Sequence, residues 1–290
     1  MKRIIFMLVL LFGLVSQQGV AQQIVTNEDF EINLAEGWKY SCKGEKGVLQ
    51  HSFQKDSVSY IVNVFAVSVY TERVYEDYLP LGTTYVDSDE EQVFLLEDGV
   101  AVECKQVEGD NANPKVSGYV YVTNRNDKTI VIQEVNRNDS LHAKGYLLEQ
   151  IRWAEIPSLS LSERVNNFCN VLNGLVKEFD FIDAGICFKQ STKGKKLIIE
   201  YHIQTPEDET KMLAKGKLKK KDVPISELLF DALPIFLEMG NEGYTFQLSR
   251  YLMNGKLDSK IVYKLKDYKH LLERKKQYAS FTMRLVDDDE

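Results

Sequence analysis

The stretch Tyr244-Thr245-Phe246-Gln247-Leu248-Ser249-Arg250-Tyr251-Leu252-Met253-Asn254-Gly255-Lys256-Leu257-Asp258-Ser259-Lys260-Ile261-Val262-Tyr263 reads as a β-hairpin. Tyr244, Phe246 and Leu248 alternate with polar neighbours. Asn254-Gly255 supplies the turn, and Leu257, Ile261, Tyr263 and Leu265 resume the pattern. A similar pair lies upstream. Ile182, Ala184, Ile186 and Phe188 share one face of a strand, 191–194 turns the chain, and Leu197, Ile199, Tyr201 and Ile203 alternate on the return. Each pair follows a helical pattern. The first carries Val165, Phe168, Cys169, Leu172, Leu175, Val176 and Phe179 over 162–179. The second carries Ile225, Leu228, Leu229, Ala232, Leu233 and Phe236, interrupted or restarted at Pro234. Residues 160–286 therefore read as an αββαββ module, with four antiparallel strands and helices on one face. A polar helix is expected over 266–278, and Asp287-Asp288-Asp289-Glu290 is expected to fray.

The natural break is Ala154-Glu155-Ile156-Pro157-Ser158-Leu159-Ser160, a proline- and serine-bearing linker. Before it, 22–155 is rich in strands. Residues 58–69 are apolar on nearly every position at their centre, as in a strand covered on both faces. Strands over 93–96 and 100–107 flank Asp98-Gly99, and strands over 119–123 and 129–135 flank Asn126-Asp127. A short helix is expected over 72–79. A longer one is expected over 141–153, with Leu141, Leu148 and Ile151 on one side. The fold class is α+β: two modules, each a mainly antiparallel sheet packed with helices.

The opening Phe30-Glu31-Ile32-Asn33-Leu34-Ala35-Glu36-Gly37-Trp38 resembles the start of PsbP-like modules, with Ala35 where a proline is usual. The resemblance covers 22–155. It implies an α/β/α sandwich that binds partners rather than catalysing, and carries over no functional residue.

The N-terminus, Met1-Lys2-Arg3 and then an apolar run to Val15, ends in Gly19-Val20-Ala21. A basic start, an apolar core and small residues at the exit make a secretory signal over 1–21. The run is shorter than a spanning helix needs. Cleavage would remove Lys2 and Arg3 and make an already acidic chain, formally −7, more acidic. Nucleic acid is therefore not expected as a partner, and no integral membrane segment is expected in the mature chain. The expected location is periplasmic or secreted.

The common catalytic motifs are missing. There is no nucleophile elbow, phosphate loop or dinucleotide fingerprint. His51, His142, His202 and His270 are scattered and no cysteine knuckle occurs, so no metal or other cofactor is expected. One constellation stands out. If Lys193-Gly194 closes its hairpin, Cys187 lies across from Glu200, with His202 diagonal and Asp183 farther along the same face. Thiol, imidazole and carboxylate are the parts of a cysteine nucleophile, and an open sheet face lacks an oxyanion hole. Cys169 is expected buried and unbonded to Cys187, while the pairing of Cys42 with Cys104 stays open. Lys211, Lys215, Lys217, Lys219, Lys220 and Lys221 read as a solvated, mobile loop, or else as a patch for an acidic polymer. The functional expectation is a non-catalytic envelope protein that binds a protein or small-molecule partner. The alternatives are a hydrolase using Cys187 and His202, or a structural subunit of an envelope assembly.

Overall fold

The computed structural model describes residues 23–71, 74–75, 78–86, 92–96, 98–110, 112, 115–137, 146–178, 185–219, 233–264 and 267. Several expectations lie outside these residues: the leader 1–21, the helical start at Leu141, the strand positions Ile182, Asp183 and Ala184, the helical positions from Ile225 to Ala232, Lys220, Lys221, nearly all of 266–278, and the acidic tail.

The class is α+β, strand-rich and mainly antiparallel. The largest sheet runs in the order β3 (Lys39–Glu45), β4 (Val48–Lys55), β5 (Val58–Phe65), β10 (Lys128–Asn136), β9 (Ser117–Arg125) and β8 (Ala101–Gly109). Strand β8 then carries both β6 (Thr83–Tyr85) and β7 (Gln92–Leu95). Asn126 and Asp127 turn β9 into β10 with φ of 49° and 59°, the double positive φ of a type I′ turn. The apolar centre of β5 has the expected cause, because this sheet is covered on both faces. On one face Ile130, Ile132 and Tyr121 join Phe30, Ile32 and Leu34 of a three-stranded sheet, β1 (Gln23–Thr26), β2 (Phe30–Leu34) and β11 (Ile151–Trp153). On the other, Val120, Val122 and Val131 meet Val74 and Tyr75. Those two residues are the described helical part of 72–79, where the Tyr78 N–H donates to the Val74 carbonyl at 2.9 Å.

The helix expected over 141–153 is, among the described residues, one turn, α1 (Tyr146–Glu149), followed by strand β11. Tertiary pairing overrides local helical spacing. Ile151 pairs with Ile32 and Trp153 with Phe30, which sets these apolar residues on one face of the seam, while Arg152 opposite Glu31 stays exposed on the other. The buried Glu134 on β10 holds the turn, accepting from the Leu147 N–H at 2.7 Å and the Tyr121 hydroxyl at 2.8 Å.

The C-terminal half contains α2 (Leu161–Glu178), β12 (Ile186–Gln190), β13 (Lys196–His202), α3 (Pro206–Lys215), α4 (Pro234–Asn241), β14 (Thr245–Tyr251) and β15 (Leu257–Tyr263). The sheet order is β12-β13-β14-β15. All four strands were expected antiparallel, yet β13 and β14 are parallel, with Lys196 opposite Thr245 and His202 opposite Tyr251. Two hairpins are laid side by side, and the long connection through α3 and α4 is the crossover a parallel pair requires. The lysine loop also needs correction. Lys211 and Lys215 lie on α3. Its Thr205 cap accepts from the Asp208 N–H at 3.1 Å, Pro206 opens it, and Glu207 pairs with Lys211 at 2.7 Å. That helix buries no residue, so no apolar periodicity announces it.

Val165, Phe168 and Cys169 of α2 pack with Phe236 and Met239 of α4 against Phe188, Leu197, Ile199 and Phe246. Strand β12 is an edge. The Asn173 side chain closes it, donating to the Phe188 carbonyl at 2.8 Å and accepting the Phe188 N–H at 2.7 Å. The two halves touch. Val67 and Val69 pack on the C-terminal core, and Gly47, at φ 76°, leaves room for Leu175 where a Cβ would come within 2.3 Å of that side chain.

Candidate functional site

Two regions hold the arranged chemistry. The first is the face of the four-stranded sheet turned away from α2. The register sets Cys187 opposite Glu200, as the hairpin reading expects, and Glu200 lies beside Ser249 of β14. Glu200 is largely buried and gathers three donors. The Lys189 ammonium approaches its Oε1 at 2.6 Å, the Tyr251 hydroxyl donates to Oε1 at 3.2 Å, and His202 Nε2 lies 3.3 Å from Oε2. The His202 ring also stacks on Tyr251, with centroids 4.6 Å apart and planes 6° apart. Burial alone would raise the Glu200 carboxyl, but Lys189 and His202 hold it below the usual carboxylate range. Imidazole and carboxylate therefore meet. The thiol does not join them: the Cys187 S–H reaches the neighbouring Phe188 carbonyl at 4.0 Å. Lys189 and Tyr251, which sequence reasoning did not single out, share the Glu200 carboxylate with His202. Period-two spacing does place Lys189 on the face of Cys187, and that was the available signal.

All four cysteines are free thiols, Cys42 exposed and Cys104 and Cys169 buried. Strand β3, carrying Cys42, and β8, carrying Cys104, are separated by four strands of the large sheet, too far for a bridge. Burial, with the Cys187 charge adding, pushes the Cys169 thiol up to about 12.

The second region is a groove of about 990 Å3 beneath β7. Phe94 and Leu96 form one wall. Leu148, Ile151 and Trp153 form the floor, Ile156 of the connecting segment closes the far side, and Glu149, Arg152 and Glu155 add charge to the lining. Arg125, itself buried, braces it. The guanidinium pairs with Asp98 in the β7–β8 turn, donates to the Ala154 carbonyl at 2.8 Å, and lies 5.0 Å from the Trp153 ring centre. Burial would raise the Asp98 carboxyl, yet Arg125 and the Val100 N–H keep it low. Helical spacing over 141–153 hides the partner of β2 in the sequence, and with it the groove. A signal was present. Val93-Phe94-Leu95-Leu96 is apolar on both faces, more than a strand at a sheet edge needs.

Among the described residues no group of three or more histidine, cysteine, aspartate or glutamate side chains is placed to hold a metal ion, and no helix is long and apolar enough to cross a membrane. No protein-family model and no curated protein matches the chain. Among solved structures, the chain is similar to the solution structure of cyanobacterial PsbP (CyanoP) from Synechocystis sp. PCC 6803, at 13% identity and a TM-score of 0.35, over 49% of this chain and 98% of that one. This is the family that residues 30–38 resemble, and likeness at that level speaks to neither activity nor partner.

Proposed function

We propose that the chain is an exported, non-catalytic binding protein of the cell envelope, built from modules 22–155 and 160–286, and that it takes its partner in the groove beneath β7. One observation carries this reading: a groove that sets apolar Phe94, Leu96, Leu148 and Trp153 beside charged Asp98, Glu149, Arg152 and Glu155, with its β7 wall tied to its floor through Arg125. A concavity braced before the partner arrives, with apolar area and fixed polar groups, is what a binding site requires. The export reading rests on residues 1–21. The test is a photo-crosslinking phenylalanine analogue at Ile156 of the full chain, expressed in its own host and irradiated in intact cells. A discrete adduct in the envelope fraction is the expected result, and a chain that stays uncrosslinked at Ile156 and at Leu95 refutes the reading.

A second reading, a cysteine-dependent hydrolase, is favoured by the register that sets Cys187 opposite Glu200 and by the Glu200–His202 contact. Its test is labelling by a fluorophosphonate-free, thiol-directed activity probe. Labelling of Cys187 that His202→Ala abolishes would support it, and labelling indifferent to His202 would end it.

A further inference from the structure

The edge of β7 carries more information than the groove below it. The Leu96 N–H donates to the Val100 carbonyl at 2.9 Å, so the main chain of Leu96 turns towards β8. The antiparallel register continues with Phe94 opposite Val102 and Val93 opposite Glu103. Because bonded and non-bonded pairs alternate, Phe94 also bonds towards β8, while Val93 and Leu95 turn their N–H and C=O groups away from it. Among the described residues β7 has no second strand partner. Two donors and two acceptors therefore line an open edge. The side chains on that edge are apolar and bare, with Val93 56% and Leu95 74% exposed. Native edges are usually blunted by charge, proline or a bulge, and 92–95 carries no charge, no proline and no bulge.

The geometry points to β7 as a strand-addition site that captures an extended, apolar segment of a partner protein. This rests on the binding reading above and names the partner's chemistry. Four main-chain hydrogen bonds to Val93 and Leu95 would fix the segment's direction and register. Its side chains would then alternate. One set would lie over Val93 and Leu95. The other would enter the groove beside Phe94, Leu96, Trp153 and Ile156, where the volume admits bulky residues and Glu149, Arg152 and Glu155 add charge to the lining. The segment must lack proline at the bonding positions, and apolar residues two apart would select it. A second copy of β7 fits less well. Its groove-side residues, Phe94 and Leu96, already pack on their own core, so they have nothing to insert.

The experiment places the photo-crosslinking analogue at Ile156 and compares the parent chain with Leu95→Pro. Proline removes one outward N–H that the fold does not use and keeps an edge strand's φ. The expected result is an adduct with another protein that falls about tenfold in Leu95→Pro. Val93→Pro, at the other outward position, is the second variant, and near-ultraviolet circular dichroism of each shows that the core is retained. An adduct of undiminished yield in both folded proline variants overturns strand addition and leaves the binding reading standing. An adduct of twice the chain's own mass overturns it in favour of self-pairing. No adduct from the parent chain brings down both.

Discussion

Arg164 of α2 holds Asp127, in the turn between β9 and β10, through three hydrogen bonds of 2.6 to 3.0 Å. The same guanidinium reaches Glu238 of α4 at 2.6 and 2.8 Å. One side chain thus ties a hairpin turn of the large sheet to helices α2 and α4 of the C-terminal half. The two carboxylates together hold Arg164 further into its charged range than usual. Replacing it strands two partly buried carboxylates side by side. Arg164→Met should lose about 2 kcal/mol in urea unfolding. It should also open the 154–160 segment to trypsin and chymotrypsin faster than in the parent chain. Unchanged digestion would mean that Val67, Val69 and the Gly47–Leu175 contact hold the halves without the ion pair.

His51 is buried on β4, with Nδ1 3.0 Å from the Tyr40 hydroxyl and Nε2 3.1 Å from Asn27 Nδ2. Asn27 cannot flip, because its Oδ1 already accepts the Asp29 and Phe30 N–H groups at 2.7 and 2.8 Å. Nε2 must therefore accept, which makes the ring neutral with its proton on Nδ1. Burial lowers the His51 pKa from its ordinary 6.5, and Asp29 only partly opposes this. A depressed folded pKa contributes stability that is complete above the unfolded value and is lost as pH falls through the folded one. Urea unfolding should therefore weaken from pH 7 to pH 5, and His51→Gln should flatten that slope. A slope that survives in His51→Gln would assign the pH dependence to other groups.

Asn173 serves as an artificial neighbour for the edge of β12. Asn173→Ala leaves the Phe188 N–H and carbonyl without that partner and should destabilise by about 2 kcal/mol. Asn173→Asp keeps the acceptor and loses the donor, so it should fall between the two. Thermal melts of the three proteins check the order. Equal melting temperatures would mean that water replaces the carboxamide at no net cost.

The thiols should separate by reactivity. Cys42 lies on the exposed strand β3, whereas Cys169 is buried with its thiol pushed up to about 12. The thiolate is the reacting form. Iodoacetamide at neutral pH should modify Cys42 first and Cys169 only after denaturation, as read by peptide mass spectrometry. Early modification of Cys169 would show that α2 opens from its sheet in the native state.

The hairpins were legible because their signals are local. Asn126-Asp127 and Asn254-Gly255 mark turns, and the Leu197–Tyr201 alternation sets a register that places Cys187 opposite Glu200. What lay beyond the sequence was set by partners distant along the chain. Ile151 follows the helical spacing of Leu148 as well as the strand spacing it shares with Trp153, and only Ile32 and Phe30 across the seam choose between them. Helix α3 escaped for the opposite reason. Capping and charge pairs hold it with no buried face, so the apolar pattern that reveals α2 is missing. The candidate sheet face was half legible. Register gave the column, but the ammonium of Lys189 and the hydroxyl of Tyr251 depend on side-chain directions that spacing does not report.

The parallel seam between β13 and β14 also governs the order in which this half can assemble. Hairpins β12–β13 and β14–β15 close over short loops, so each can nucleate by itself within microseconds. The seam joins Lys196 to Thr245 and must wait for the whole helical connection to be in place, a closure over a far longer loop. Until then Leu197, Ile199, Phe246 and Ile261 face water in two separate ribbons. Within this half, the slow step of assembly, and the interval most exposed to misassociation, therefore belongs to the one pair of neighbouring strands in this sheet that run the same way.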